Sequence, residues 1–175
     1  MDCYLSYSPF PLSFLRLADG IRIRYNTKMN KKRVIVGMSG GVDSSVTAAI
    51  LKERGYEVIG ITMQLLPFEE QQQSACCNLG AVSDARRVCQ TLGIRHYVIN
   101  SRDIFKEKVI DPFVQTYKIG QTPNPCVECN RFIKFDELLK RADVLDAHYI
   151  ATGHYCKITK AKNSDECYIK AANDQ

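Results

Sequence analysis

Val34-Ile35-Val36-Gly37-Met38-Ser39-Gly40-Gly41-Val42-Asp43-Ser44-Ser45 joins an apolar run, a glycine-serine turn and the start of a helical pattern over residues 46–51. A short β-branched run bounded by glycine reads as a buried strand, so the stretch is strand, tight loop, helix. Two adjacent glycines can take positive φ at little cost, which lets successive backbone N–H groups turn inward around an anion. The following helix aims its positive N-terminus at the same point. The stretch therefore reads as a cradle for the phosphates of an adenine nucleotide. It is a pyrophosphate-binding loop rather than a Walker loop, because no Gly-Lys-Ser/Thr follows the glycines and no lysine of the loop reaches the phosphates. Binding falls to backbone amides, to the hydroxyls of Ser39, Ser44 and Ser45, and to Asp43 as a Mg²⁺ partner. The plainer alternative is a glycine-rich turn with Ser44 as the helix N-cap.

Strand and helix alternate outward from this point. Arg33–Gly37 is the first strand, residues 44–54 form a helix stopped by Gly55, and Glu57–Gln64 is a second strand. Residues 66–78, with Pro67 and three consecutive glutamines, read as a surface loop. Residues 82–92 are helical, with Gly93 as the stop, and residues 96–100 are the third strand. Residues 104–117 have helical spacing that Pro112 should end, kink or restart. A breaker-rich loop over 120–125, a helix over 135–142 and a fourth strand over 149–152 complete the pattern. Alternating units of this length predict an α/β fold, a Rossmann-like parallel sheet with helices on both faces. Ligands of such sheets bind at the strands' C-terminal edge, which groups the glycine loop with Met63, Cys129 and Gly153-His154. Residues 156–175 alternate weakly around Ile158 and Tyr168-Ile169 and read as the start of a further β element.

The chain has 175 residues, enough for one domain with a good core or one domain and the start of another. Hydrophobic content of 45% with 25% charged residues is ordinary globular composition and implies no long disordered region. A net charge of +5 permits a nucleic-acid partner without demanding one. The apolar stretches are too short and too interrupted to span a bilayer, so no membrane is expected. Residues 1–28 lack a clear period and read as a poorly ordered extension or an upstream start; a targeting leader is the alternative.

Eight cysteines, in a long α/β chain without a secretory signal, read as reduced thiols of which a subset is reactive or metal-binding. The informative pair is in Thr122-Pro123-Asn124-Pro125-Cys126-Val127-Glu128-Cys129-Asn130, where two prolines predict a stiff, exposed loop. Cys126 and Cys129 can be a redox pair, half of a zinc site, two ligands of an iron–sulfur cluster, or a nucleophile and its neighbour. Zinc would need a second pair, and Cys76-Cys77 are adjacent, which is poor chelating geometry. Arg131 and Lys134 are near enough in sequence to favour a thiolate. Gly153 lets the backbone approach a ligand and His154 can meet a phosphate or a base; a turn glycine with a surface histidine is the alternative. Met63 reads more readily as core than as ligand, and His96 and His148 read as structural.

Together, residues 36–45, Gly60-Ile61-Thr62-Met63, residues 84–88, Thr122-Pro123-Asn124-Pro125 with Cys129-Asn130, Ile133-Lys134-Phe135 and residues 151–155 resemble the tRNA-specific 2-thiouridylases. The resemblance starts at about Met29 and leaves residues 1–28 uncovered. It implies an adenine-nucleotide α-hydrolase-type ATP-binding domain over 29–155, followed over 156–175 by the beginning of a downstream domain. It also implies ATP-dependent 2-thiolation of the wobble uridine of tRNAs with Lys, Glu and Gln anticodons, in the cytoplasm, or in an organelle if residues 1–28 are a leader. ATP would adenylate O2 of the base with release of pyrophosphate, and a persulfide sulfur from a donor protein would displace AMP. By motif, ATP would meet Gly37, Met38, Ser39, Gly40, Gly41, Val42, Asp43, Ser44, Met63 and Gly153. The target base would meet Asn124, Pro125 and Cys126, His154 would contact tRNA, and Cys129 would be the catalytic cysteine, with a disulfide bond as part of the expected chemistry. The family's second catalytic cysteine belongs to a downstream segment not in this sequence, so the resemblance implies an N-terminal portion that binds ATP without completing thiolation. Where many members carry aspartate this chain has Cys126, which raises the alternative of a 4Fe-4S cluster on Cys126, Cys129 and the downstream cysteine. The rivals are another adenylating synthetase with the same loop, or a cysteine-based metal or redox module.

Overall fold

The computed structural model describes residues 31–66, 79–160 and 167–170; residues 1–28, most of the 66–78 loop and Cys3, Cys76 and Cys77 lie outside them. Four strands, β1 (Arg33–Gly37), β2 (Glu57–Gln64), β3 (Arg95–Asn100) and β4 (Tyr149–Ala151), form one parallel sheet in the order β3-β2-β1-β4. The central strands are continuous apolar runs because both of their faces are covered. Val34, Val36 and Val58 pack with Ala48 and Leu51 of helix α1 (Val42–Glu53) and with Ala85 and Cys89 of α2 (Leu79–Thr91). Their in-between neighbours Ile35, Ile59 and Ile61 pack on the opposite face beneath Leu138 and Ala142. Val34 pairs with Val58 and Ile35 with Ile59, so the alternation is in register across the sheet. A slip of one residue would turn every one of these side chains to the wrong layer.

Two longer helices cross between β3 and β4, and each contains a widened π turn. The first runs through α3 (Arg102–Phe105), a π segment (Lys106–Ile110) and α4 (Asp111–Lys118). Pro112 has no N–H and its ring crowds the carbonyl four residues back, so the helix widens before it: the Asp111 amide donates to Lys106, five residues earlier. The second runs through α5 (Pro125–Glu128), a π segment (Cys129–Phe135) and α6 (Asp136–Val144). Buried Leu65, Val109 and Ile133 join the two π segments to the end of β2. The expected stiff loop at the cysteines is thus a helix. Asn124 caps it, its side chain accepting from the Val127 amide at 3.3 Å, and Pro125 occupies the first turn where no N–H is needed.

β5 (Lys157–Lys160) and β6 (Cys167–Lys170) pair antiparallel in a separate two-stranded sheet, as the tail's alternation predicts. Among the described residues no helix is long and apolar enough to cross a membrane.

Candidate functional site

The sheet order reverses beside β1: the chain steps outward through β2 and β3, then returns to place β4 on the other side of β1. The loops leaving β1 and β4 both emerge at the C-terminal edge beside this reversal, where sheets of this kind open a crevice. A cleft of about 280 Å³ opens there. Gly37, Met38, Ser39, Asp43 and Ser44 line it from the first loop and helix, Met63 from β2, and Gly153 and His154 from the loop after β4. Gly40, Gly41 and Val42 shape the loop without lining the cleft.

Only one of the paired glycines needs positive φ. Gly40 has φ +80, and a Cβ there would be 2.4 Å from the Ala81 carbonyl oxygen, so the loop presses against α2 where only glycine fits. Gly41 is extended at φ −81, ψ 170 and is the N-cap of α1. Helix α1 therefore starts two residues before the expected Ser44. Ser44 instead binds the loop together: its hydroxyl donates to the Gly41 carbonyl at 3.1 Å and accepts from the Ser39 amide at 3.2 Å. Because Gly41 brings no side chain, the first amides of α1 are left for whatever occupies the cleft.

Gly153 has a structural task that the sequence does not announce. A Cβ there would be 2.7 Å from the Ser44 amide nitrogen and 2.9 Å from Asp43, so the loop after β4 lies directly on the first turn of α1. Beside it, Tyr155 donates a 2.8 Å hydrogen bond to Asp43 Oδ1, leaving the second carboxylate oxygen of this exposed side chain to other partners. His154 stacks on Phe135, with ring centroids 5.8 Å apart, and its Nδ1 is 2.8 Å from the Thr152 hydroxyl. Burial and then the nearby Lys134 charge hold its pKa below the ordinary value, which favours the neutral ring.

A second network fixes the loop from below. The buried Thr62 hydroxyl donates to the Met38 carbonyl at 2.8 Å, and His96 Nε2 lies 2.8 Å from the same oxygen. With its one proton given to Met38, the hydroxyl accepts from His96, so Nε2 carries the hydrogen. His96, read from the sequence as structural, thus supports the phosphate-type loop through Thr62. Burial, with a smaller contribution from Arg86, lowers its pKa.

The cysteine helix stands beside the cleft. Asn124, Pro125, Cys126 and Cys129 do not line it. Cys126 is exposed, whereas Cys129 is half-buried and packs with the Leu65, Val109 and Ile133 cluster, so packing is part of its role. Ile133 belongs both to that cluster and to the cleft wall, which connects the two regions. None of Cys89, Cys126, Cys129 and Cys156 is in a disulfide. Among the described residues no three His, Cys, Asp or Glu side chains are grouped to hold a metal, the Cys126 and Cys129 pair included. Met63 is both lining and core, packing against two of the clusters. Thr62 and Lys134 also line the cleft; both stand in segments that carry the resemblance, Gly60-Ile61-Thr62-Met63 and Ile133-Lys134-Phe135, but neither was singled out as a site residue.

Residues 32–175 match the family model described as the tRNA methyl transferase HUP domain. The tRNA-specific 2-thiouridylase MnmA of Clostridium acetobutylicum is 62% identical over 135 residues, covering 75% of this chain and 38% of that protein. That of Clostridium beijerinckii is 58% identical over 147 residues, covering 82% and 40%. The chain thus spans well under half the length of these relatives. Among solved structures, a predicted subunit of tRNA methyltransferase from Methanocaldococcus jannaschii is 25% identical over 70% of this chain and 53% of that one, with a TM-score of 0.46, too slight a likeness to build on. With the family model matched over most of its length, the chain belongs to the tRNA methyl transferase HUP domain family, and it is the tRNA-specific 2-thiouridylases that it resembles.

Proposed function

We propose that the chain binds ATP in this cleft and serves the 2-thiolation of the wobble uridine of tRNA. The observation that supports it best is the convergence, at the sheet's switch point, of the open N-terminus of α1 with the Gly153-His154 loop. The first amides of α1 and the Ser39 hydroxyl would hold the β and γ phosphates, with Ser44 keeping the loop in shape through its bonds to Gly41 and Ser39. Asp43 fits a Mg²⁺ ion of the one-carboxylate kind, and such an ion would neutralise phosphate charge. Met63 and Gly153 would border the nucleoside.

A ring carbonyl oxygen is a poor leaving group. Attack of uridine O2 on the α phosphorus expels pyrophosphate and converts that oxygen into part of AMP, which sulfur at C2 can then displace. The sulfur would arrive from a donor protein as the outer sulfur of a persulfide on a downstream carrier cysteine. Once that sulfur has displaced AMP at C2, the Cys129 thiolate would attack the carrier sulfur, breaking the S–S bond, leaving a Cys129–carrier disulfide and releasing 2-thiouridine. Asn124, Pro125 and Cys126 would receive the flipped base, and His154 would touch the tRNA. The two cysteines alone do not make up an iron–sulfur ligand set among the described residues, and no step is assigned to such a cluster.

Calorimetric titration with Mg·ATP tests the nucleotide reading. Saturable binding is expected, with Asp43→Ala losing the Mg²⁺-dependent part of the affinity. Tight zinc without nucleotide affinity would overturn the reading in favour of a metal module.

A further inference from the structure

The phosphate-type loop carries no cation of its own: residues 38–45 contain Asp43 and no lysine or arginine. Bringing a polyphosphate beside a carboxylate, out of water, is costly unless positive charge compensates it. Helix amides supply part of that compensation as partial charges. A Mg²⁺ ion at Asp43 would offset part of the rest, and a positively charged side chain has to come from elsewhere on the cleft wall.

The wall opposite the loop supplies it. Ile133, at 0% exposure, and Leu138, at 1%, fix the second long helix against the sheet, and both line the cleft. Lys134 lies between them in sequence, in the π segment, with an exposed side chain that lines the same cleft. The neighbouring cations are otherwise engaged: Arg131 lies over the Phe132 ring and Lys140 is 2.6 Å from Glu137. Among the described residues Lys134 has no ion pair. His154, the other basic side chain on the wall, is pushed toward its neutral form by burial and by Lys134 itself.

We propose that Lys134 is the cation of this site, its ammonium group reaching across the cleft to a phosphate of bound ATP in place of the lysine that Walker-type loops carry within the loop. This rests on the ATP reading above. The arrangement divides phosphate recognition between two elements, with amides and hydroxyls at the start of α1 and charge on the helix that bears Cys126 and Cys129.

Calorimetry on the full chain with Mg·ATP and with adenosine, for the wild type, Lys134→Gln and Lys134→Arg, tests it. Lys134→Gln should weaken ATP about tenfold or more, the worth of one charge-assisted hydrogen bond, and leave adenosine within about twofold. Lys134→Arg should bind ATP closer to the wild type than to Lys134→Gln. Equal ATP affinity in Lys134→Gln and wild type would overturn the proposal, as would an equal loss for ATP and adenosine, which would make the side chain part of the cleft's shape. A wild type that binds neither ligand would instead remove the ATP reading itself. The side chain is exposed, so the variants should melt with the wild type, and matched unfolding curves confirm that the comparison is between folded proteins.

Discussion

Alanine at Gly153 should separate the two loops that form the cleft. The new Cβ would be 2.7 Å from the Ser44 nitrogen and 2.9 Å from the Asp43 carbonyl carbon. Both neighbours are backbone, so no side chain can rotate away, and the loops must part by roughly 0.7 Å to reach ordinary contact at 3.4 Å. Overpacking of this kind costs about 1–3 kcal/mol. At about 2–4 °C per kcal/mol for a chain of this size, the melting temperature should fall by roughly 2–12 °C. Two companions grade the argument. Gly41→Ala would meet only the Ser39 hydroxyl at 3.5 Å with φ already negative, so its cost is the about 0.5–1 kcal/mol by which alanine is the poorer N-cap. Gly40→Ala combines φ +80 with a 2.4 Å approach to the Ala81 carbonyl and should be the most damaging of the three. Urea unfolding of the three variants gives the order directly. A Gly153→Ala protein as stable as Gly41→Ala would refute the close approach of the β4 loop to α1.

Thr62→Val removes the hydroxyl that joins His96 to the Met38 carbonyl and takes this partner from both groups; a loss of about 1–3 kcal/mol in urea unfolding is expected, and a neutral substitution would contradict the network. His96 has a folded pKa below its ordinary 6.5, so the unfolded chain binds more protons in the window below that value. Its contribution is complete above 6.5 and is lost as pH falls toward the folded pKa. The stability gap between wild type and His96→Gln, measured at pH 7.5 and 5.5, should therefore narrow on acidification, and a widening gap would reverse the assigned direction.

The strands were legible because a parallel sheet leaves an unbroken β-branched run in the sequence: β1 and β2 have the expected bounds, and β3 and β4 differ by one residue at an end. Helix starts were less legible. Ser44 has the chemistry of a cap, yet its hydroxyl is spent on Gly41 and Ser39, and α1 begins at Val42. α2 likewise starts three residues before the expected 82. Pro123 and Pro125 suggested a loop at the cysteines, although Asn124 followed by proline is also a helix-start signal, and that signal prevailed. Pro112 restarts its helix, one of the outcomes its position allowed. The cleft's cross-wall contacts, Gly153 on Ser44, Tyr155 on Asp43 and Thr62 with His96, join positions whose proximity no local pattern records.

The neighbour relation of β1 and β4 also has a kinetic consequence. Tyr155 and Asp43 touch although 112 residues separate them, so the chain closes a long loop before that wall of the cleft exists. The β1-α1-β2 unit can form from local contacts, whereas the crevice appears only once β4 has docked. A ligand that needs both walls binds only the docked chain and holds it there by mass action. Nucleotide would thus act on this fold as a late-stage latch, slowing the undocking of β4 more than the fraying of any element that precedes it.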